Sequence, residues 1–92
     1  MGWRKNNLDK TEVDFVLKRD NVIPIEVKAS NKITSKHFSS VRTFLQETGE
    51  QVGFVVSLDE LKINNINGKV IINLPAYLLH PDIIYGFVKS LT

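Results

Sequence analysis

The chain of 92 residues contains no cysteine, three prolines, five glycines and one tryptophan. Without cysteine it can form neither a disulfide framework nor a thiolate metal site, which fits a reducing cytosol, so we expect a cytoplasmic protein. Its longest apolar runs, such as Val70-Ile71-Ile72, are far too short to span a membrane, and its first residues lack the apolar core of a signal peptide. This length predicts one domain over residues 1–92.

Positive charge is mild overall but locally clustered. The formal net charge is +2, whereas proteins that coat DNA are usually far more basic. Five basic residues nevertheless lie close together in the sequence: Lys28, Lys32, Lys36, His37 and Arg42. This cluster is either a solvated helix face with its leading loop, which is the commoner case, or a patch in which Lys32, Lys36 and Arg42 contact nucleic acid.

Two segments near the N-terminus alternate between apolar and polar residues. The alternating set of apolar residues within residues 12–18 and 22–28 comprises Val13, Phe15, Leu17, Ile23, Ile25 and Val27. A period of two predicts half-buried strands, and residues 19–21 are typical of the turn between them. Pro24 cannot donate a ladder hydrogen bond, which predicts either an edge position or an unpaired site.

The rest of the chain predicts two helices and further strands. A stripe at helical spacing comprises Phe38, Val41, Phe44 and Leu45, with Thr34 or Ser35 at its start and Gly49 at its end. Residues 51–58 are typical of a buried strand, and Asn67-Gly68 predicts a hairpin between residues 62–66 and 69–74. Pro81 begins a terminal helix whose predicted apolar face comprises Ile83, Ile84, Phe87, Val88 and Leu91. With a strand end at residues 3–5, we predict an α/β (α+β) domain with a single mixed β-sheet flanked by helices, in the order β-β-β-α-β-β-α.

Burial of both apolar sets on one face determines how the first two long strands pair. The register pairs Phe15 with Ile25, because a slip of one residue would turn one apolar set to the wrong face. On the opposite, polar face it places Asp14 against Glu26 and Glu12 against Lys28. Opposed residues have Cβ atoms about 4.5–5.5 Å apart, so the register predicts two adjacent carboxylates beside a lysine.

Opposed carboxylates repel each other unless a cation neutralises them. Mg²⁺ or Mn²⁺ is the expected cofactor, because Mg²⁺ binds through a few carboxylate oxygens and keeps several waters. Such a cation lowers the pKa of a bound water and stabilises charge on a phosphate, while Lys28 could orient that water or contact the phosphate. The alternative is an exposed ion pair between Glu12 and Lys28 worth under about 1 kcal/mol, which the residue types alone favour.

Asp14 and the later Glu26-Val27-Lys28 resemble the D…ExK core of the PD-(D/E)xK (restriction-endonuclease-like) nuclease superfamily. The wider pattern in Trp3-Arg4, residues 12–17 and residues 23–30 is similar to the uncharacterised domain at the C-terminus of many prokaryotic AAA-type ATPases. This resemblance covers residues 1–74 and implies a restriction-endonuclease-like core. It also implies Asp14 and Glu26 as metal ligands and Lys28 as the catalytic lysine of a Mg²⁺-dependent endonuclease acting on DNA phosphodiester bonds.

The chain departs from the family pattern in two ways. Many active members carry a further acidic residue on a helix ahead of the first strand, and this sequence begins too late to contain it. No G-x-x-x-x-G-K-[ST] phosphate loop occurs in the sequence. The resemblance therefore implies a C-terminal fragment or a free-standing remnant of an ATPase, with the ATPase supplied by a partner or by a missing domain.

A second hypothesis is a non-catalytic module that keeps the nuclease fold. It would bind nucleic acid, an ATPase partner or a second copy of itself. Steeply salt-dependent DNA binding without metal would support the nucleic-acid role, whereas a dimer without DNA binding would support protein contacts. Pro24 and the short sheet predict exposed edges that a second copy could cover in a homodimer.

Overall fold

The computed structural model describes residues 3–5, 13–18 and 21–91. Its strands are β1 (Trp3–Lys5), β2 (Phe15–Lys18), β3 (Val22–Val27), β4 (Val52–Ser57), β5 (Lys62–Ile66) and β6 (Lys69–Pro75). Its helices are α1 (Ser39–Thr48) and α2 (Pro81–Leu91), and short 3₁₀ turns lie at Ser35–Phe38 and Ala76–Leu78. The predicted α+β class, with one mixed sheet flanked by helices, is confirmed.

The six strands form one sheet in the order β1-β2-β3-β4-β6-β5. The β3–β4 and β4–β6 pairs are parallel, and the remaining pairs are antiparallel. Helix α1 is the crossover between the parallel strands β3 and β4, so it begins at the carboxyl end of β3. The observed chain order is β-β-β-α-β-β-β-α. The predicted order has one strand fewer after α1, although the strand at residues 51–58 and both predicted hairpin strands are present, with β6 beside β4 and β5 at the edge.

The sheet separates two hydrophobic clusters. The α1 cluster comprises Val13, Val16, Phe38, Val41, Phe44, Leu45, Val55 and Ile71. The α2 cluster comprises Leu17, Ile23, Ile25, Val52, Phe54, Val56, Ile72, Leu74, Ile84, Tyr85 and Val88. Neighbouring residues of β4 divide between the clusters, as the alternation of side chains across a strand requires. A helix therefore covers each face of the sheet, and the polar face predicted for β2 and β3 is largely buried.

The predicted apolar face of β2 and β3 is only partly correct. Leu17, Ile23 and Ile25 are buried in the α2 cluster, but Phe15 is 38% exposed and Val27 is 44% exposed. Val13 packs into the α1 cluster instead of beside Leu17. It precedes β2, and the regular alternation does not extend back to it. Simple alternation fails here because both faces of this sheet contribute to the core.

Close packing of α1 on β4 depends on Gly53. A Cβ at this position would overlap Cγ1 of Val41 and would lie 3.1 Å from Cγ of Pro24. Pro24 itself lies on an inner strand, so the predicted edge position is wrong. Pro24 pairs with Val16 of β2, but it precedes Ile25, the first β3 residue that pairs with β4. On the β4 side it therefore occupies an unpaired site, the other position predicted for it. Pro24 therefore gives no support to a homodimer, since the edge strands of the described sheet are β1 and β5; the homodimer itself stays a prediction.

Local signals at turns and helix ends agree with the structure. Thr34 is the N-cap of the 3₁₀ turn that leads into α1, and α1 ends before Gly49, whose N–H donates to the Leu45 carbonyl. Asn67 and Gly68 have positive φ values of 51° and 80°, which suit a two-residue turn between β5 and β6.

Helix α2 packs on the face of the sheet opposite α1. Its buried residues are Ile84, Tyr85 and Val88, and the Phe87 ring meets Phe54 edge-on at 6.2 Å between ring centroids. Leu91, predicted on the apolar face, is instead 39% exposed. Tyr85 occupies the buried side of the helix, and its hydroxyl lies within reach of the Asn21 carbonyl.

Candidate functional site

Asp14 and Glu26 meet where β2 and β3 come together. Phe15 pairs with Ile25 in the antiparallel register, so the residues before and after this pair, Asp14 and Glu26, lie side by side. Glu26 is also in register with Val55 of β4, which belongs to the α1 cluster. Both carboxylates therefore lie on the α1 face of the sheet, close to the carboxyl ends of the parallel strands.

Two hydrogen bonds hold the carboxylates together in a reciprocal arrangement. The Asp14 backbone N–H donates to Glu26 Oε1 at 3.1 Å, and the Val27 N–H donates to Asp14 Oδ2 at 2.9 Å. The second bond lies just beyond the last β2–β3 residue pair, where a side chain takes the place of a strand carbonyl. The orientation of both carboxylates is therefore set by the backbone of the opposite strand.

Burial gives Glu26 an unusual protonation equilibrium. The residue is 4% exposed, and its pKa is raised from 4.5 to about 7. Desolvation is the largest cause, followed by the hydrogen bond and the negative charge of Asp14, while Lys28 acts in the opposite direction. A neighbouring cation would favour the charged form of Glu26.

Lys28 supplies one such positive charge. Its Nζ lies 3.5 Å from Glu26 Oε2, and its side chain is 36% exposed. The backbone N–H of Lys28 donates to the Val56 carbonyl at 2.9 Å, which continues the β3–β4 pairing past the end of β3. Glu12, the predicted partner of Lys28, lies outside the described residues. Among the described residues, Lys28 pairs with Glu26, two positions apart on the same face.

The candidate nucleic-acid contacts lie on the segment that leaves this site. Lys32 is exposed in the loop after β3, Lys36 is exposed in the 3₁₀ turn, and Arg42 is half-buried on α1. Because α1 begins at the carboxyl end of β3, the two lysines lie at the same end of the sheet as Glu26. His37 has a capping role, since its Nδ1 accepts a hydrogen bond from the Thr34 N–H at 2.9 Å.

Three polar residues at this end of the sheet are not indicated as site residues by the sequence pattern. Ser57 and Asn73 are 2% and 0% exposed, and the Ser57 hydroxyl donates to Asn73 Oδ1 at 2.7 Å. Asp59 accepts hydrogen bonds from two backbone N–H groups, which hold its pKa below the usual value. The asparagine within the apolar strand at residues 70–74 was the only sequence signal for this group, and no periodicity indicates the role of Asp59.

The carboxylate pair is suited to a hard divalent cation. Asp14 and Glu26 offer two carboxylates. Among residues 3–5, 13–18 and 21–91, no third His, Cys, Asp or Glu side chain joins them to hold a metal ion. Mg²⁺ commonly uses one or two carboxylates and keeps several waters. A desolvated carboxylate with a raised pKa beside a second carboxylate gains more from a nearby cation than an exposed pair would.

The fold and the site together define a small α+β domain that presents a carboxylate pair and a lysine at the carboxyl ends of its parallel strands. Residues 2–77 match the family described as Domain of unknown function (DUF4143). The match covers most of the chain, which belongs to this family. No curated protein and no solved structure matches the chain.

Within the described part of the chain, no helix combines the length and the apolar character that a bilayer crossing requires.

Proposed function

We propose that this domain is a metal-dependent, nuclease-like domain that acts on DNA phosphodiester bonds. The observation that carries the proposal is the buried Glu26 carboxylate, which is hydrogen-bonded to the Asp14 backbone and has the Lys28 ammonium on its second oxygen. A purely structural ion pair is more often exposed and contributes little stability. Keeping a carboxylate desolvated beside another carboxylate costs stability, which is typical of functional sites.

Each of the three residues has a distinct role in this proposal. Asp14 and Glu26 would hold Mg²⁺ or Mn²⁺, and the bound cation supplies a water of lowered pKa and positive charge against the phosphate. The Asp14–Val27 and Glu26–Asp14 hydrogen bonds orient the carboxylates beforehand. Lys28 places its ammonium beside Glu26, where it can donate to a phosphate oxygen or to the attacking water.

The choice of DNA as substrate is supported by exposed positive charge at the same end of the sheet as the carboxylates. Lys32 and Lys36 are exposed at the carboxyl end of β3, where they could neutralise phosphates on either side of the reacting one. Arg42 follows on α1 and would extend the same contact along the backbone. We also propose that the domain is associated with an AAA-type ATPase, through a partner or a linked domain. The resemblance of Trp3-Arg4 and residues 12–30 supports this.

The proposal is tested by titrating Mn²⁺ into isotope-labelled protein and following paramagnetic broadening of its amide signals. We expect broadening centred on Asp14, Glu26 and Lys28, together with metal-dependent cleavage of a DNA duplex. Glu26→Gln keeps the size of the side chain but removes its negative charge, so both effects should fall by at least about tenfold. Lys28→Met should lower cleavage and leave the broadening in place.

Asp82→Asn is the matched control, since this exposed carboxylate on α2 is away from the carboxylate pair. Broadening that is the same in Glu26→Gln and in the unaltered chain would contradict the metal assignment. DNA binding that persists without metal, with no cleavage under any condition, would instead support a non-catalytic binding module with the nuclease fold.

A further inference from the structure

The loop between β3 and the 3₁₀ turn, residues 28–34, is tied to β4 and to the turn after it; we call it the crossover loop. The Lys28 N–H donates to the Val56 carbonyl, and the Leu58 N–H donates to the Ser30 carbonyl at 3.0 Å. The third link is the Ile33 N–H, which donates to Asp59 Oδ2 at 2.9 Å. Two of the three links are between backbones, and the third depends on one side chain.

Asp59 is held firmly in the orientation that this link requires. Its Oδ1 accepts the Glu60 N–H at 2.8 Å, and Lys62 Nζ lies 3.5 Å from Oδ2. The two backbone N–H groups are the main reason that the pKa of Asp59 is below its usual value. The carboxylate therefore stays charged at neutral pH, and hydrogen bonds to a charged acceptor are stronger than neutral ones.

A buried polar pair fixes the turn that carries Asp59. Ser57 Oγ accepts the Asp59 N–H at 3.0 Å and donates to Asn73 Oδ1, and Asn73 Nδ2 donates to the Glu60 carbonyl at 2.6 Å. Replacing such a pair by apolar residues of similar shape is often nearly neutral for stability. What the polar pair adds is a defined path for the backbone around Asp59.

Ile33, whose N–H is bound by Asp59, lies between two exposed lysines, one in the crossover loop and one in the 3₁₀ turn. Lys32 directly precedes Ile33, and Lys36 follows within one turn of it. Ile33 also packs against the α1 cluster, so its backbone bond and its side chain together fix this part of the loop. A shift of Ile33 would move both lysines relative to Asp14 and Glu26.

We propose that Asp59 is a positioning residue for nucleic acid: by binding the Ile33 N–H it presents Lys32 and Lys36 at a fixed distance from the carboxylate pair. The inference rests on the proposed function, because it assigns to these lysines a phosphate backbone that runs past the same site. Asp59 contacts no substrate itself. Its own negative charge opposes the binding of DNA, so its benefit comes through geometry alone.

Because the charge of Asp59 and its positioning effect act on DNA binding in opposite directions, the proposal is testable. Asp59→Ala removes a negative charge, which by electrostatics alone should strengthen binding of a labelled DNA duplex. We expect it instead to weaken binding about three- to tenfold, because the lysines lose their fixed placement. Glu60→Gln removes the same charge from the neighbouring exposed residue and should leave the affinity equal or slightly higher. Binding is measured by fluorescence anisotropy with EDTA present, so that no cleavage occurs.

A double-mutant cycle separates positioning from a general structural effect. Lys32→Gln should weaken binding clearly in the unaltered chain and much less in Asp59→Ala, since the lysine is already displaced there. Asp59→Asn retains an acceptor oxygen for the Ile33 N–H and should recover part of the affinity. Hydrogen exchange at the Ile33 amide should be about tenfold faster in Asp59→Ala, with Val55 unchanged.

Equal affinities of Asp59→Ala and Glu60→Gln, or fully additive effects of Lys32→Gln and Asp59→Ala, would overturn the positioning role. Both results leave the proposed nuclease function intact, since they concern alignment of the nucleic acid only. No binding of the duplex by the unaltered chain, combined with no Mn²⁺ broadening at Glu26, would overturn the proposed function and this inference with it.

Discussion

Glu26 shows how one residue can make stability depend on pH. Its pKa of about 7 in the folded chain compares with an ordinary value of 4.5. Between these two values the folded chain binds more protons than the unfolded chain, so the free energy of unfolding falls as the pH rises. The favourable contribution of neutral Glu26 is complete below about pH 4.5 and is lost as the pH rises through about 7.

We therefore predict that the metal-free chain loses about 2 kcal/mol of stability through Glu26 between pH 5 and pH 8. Glu26→Gln should remove most of this loss and be the more stable chain at pH 8, because its amide carries no charge to desolvate. Urea unfolding in EDTA at the two pH values measures both effects. Asp82→Asn is the control, and an unchanged pH slope in Glu26→Gln would contradict the assignment.

Mg²⁺ should favour the charged form of Glu26 and so offset the loss of stability at high pH. A cation that binds the folded chain alone stabilises it by mass action, about 1.4 kcal/mol at ten times its dissociation constant. Since the metal requires charged Glu26, this gain should be larger at pH 8 than at pH 5. Thermal unfolding with and without Mg²⁺ at each pH measures it, and a gain of equal size in Glu26→Gln would rule out this site as its source.

At the scale of secondary-structure elements, the β2–β3 pair brings the carboxylates together and α1 packs on the face of the sheet that carries them. Helix α1 covers the face that carries Asp14 and Glu26, and Gly53 allows it to lie close to β4. Without this close approach, the start of α1 and the crossover loop would lie further from the carboxylate pair. Packing of α1 on this face therefore helps to keep solvent from the surface around Glu26.

Gly53→Ala is predicted to lower the free energy of unfolding by about 1–3 kcal/mol, because the new methyl group overlaps Val41 and crowds Pro24. Gly86→Ala provides the contrast. Nothing lies within 4 Å of a Cβ built at Gly86, so on α2 this change should raise stability by up to about 1 kcal/mol. Urea unfolding compares the two, and equal effects would mean that α1 does not pack against Gly53.

For the whole molecule, the distribution of charge matters more than its total. A net charge of +2 attracts DNA only weakly, whereas exposed lysines at the same end of the sheet as the carboxylate pair can neutralise individual phosphates. Each phosphate contact adds about 0.9 to the slope of log affinity against log salt. The placement of a lysine, and not merely its presence, should therefore determine its effect on binding.

Lys32→Gln should reduce that slope by about 1, while Lys89→Gln, which makes the same change in net charge on α2, should leave it unchanged. Lys89 is exposed on the helix that covers the opposite face of the sheet. Duplex binding measured over a series of salt concentrations gives both slopes. A loss of equal size in the two variants would mean that the chain attracts DNA through net charge alone.

Local patterns in the sequence determined the elements and one essential register. Period-two alternation predicted β2 and β3, helical spacing predicted α1, and Asn67-Gly68 predicted the turn between β5 and β6. The pairing of Phe15 with Ile25 followed from hydrophobicity, and it placed Asp14 beside Glu26. These features depend on neighbours along the chain or on one strand pair, which a single sequence can specify.

Only the tertiary structure decided which side of the sheet is buried and how deeply. Alternation assigned one apolar and one polar face to β3. In the structure α1 covers the face that carries Glu26, whereas Phe15 and Val27, predicted on the apolar face, are partly exposed. The raised pKa of Glu26 and the bond from Asp59 to Ile33 arise from contacts between segments distant in sequence. The sequence by itself therefore determined which groups meet, and the packing of helices on both faces of the sheet decided their burial, since desolvation depends on everything that surrounds a group.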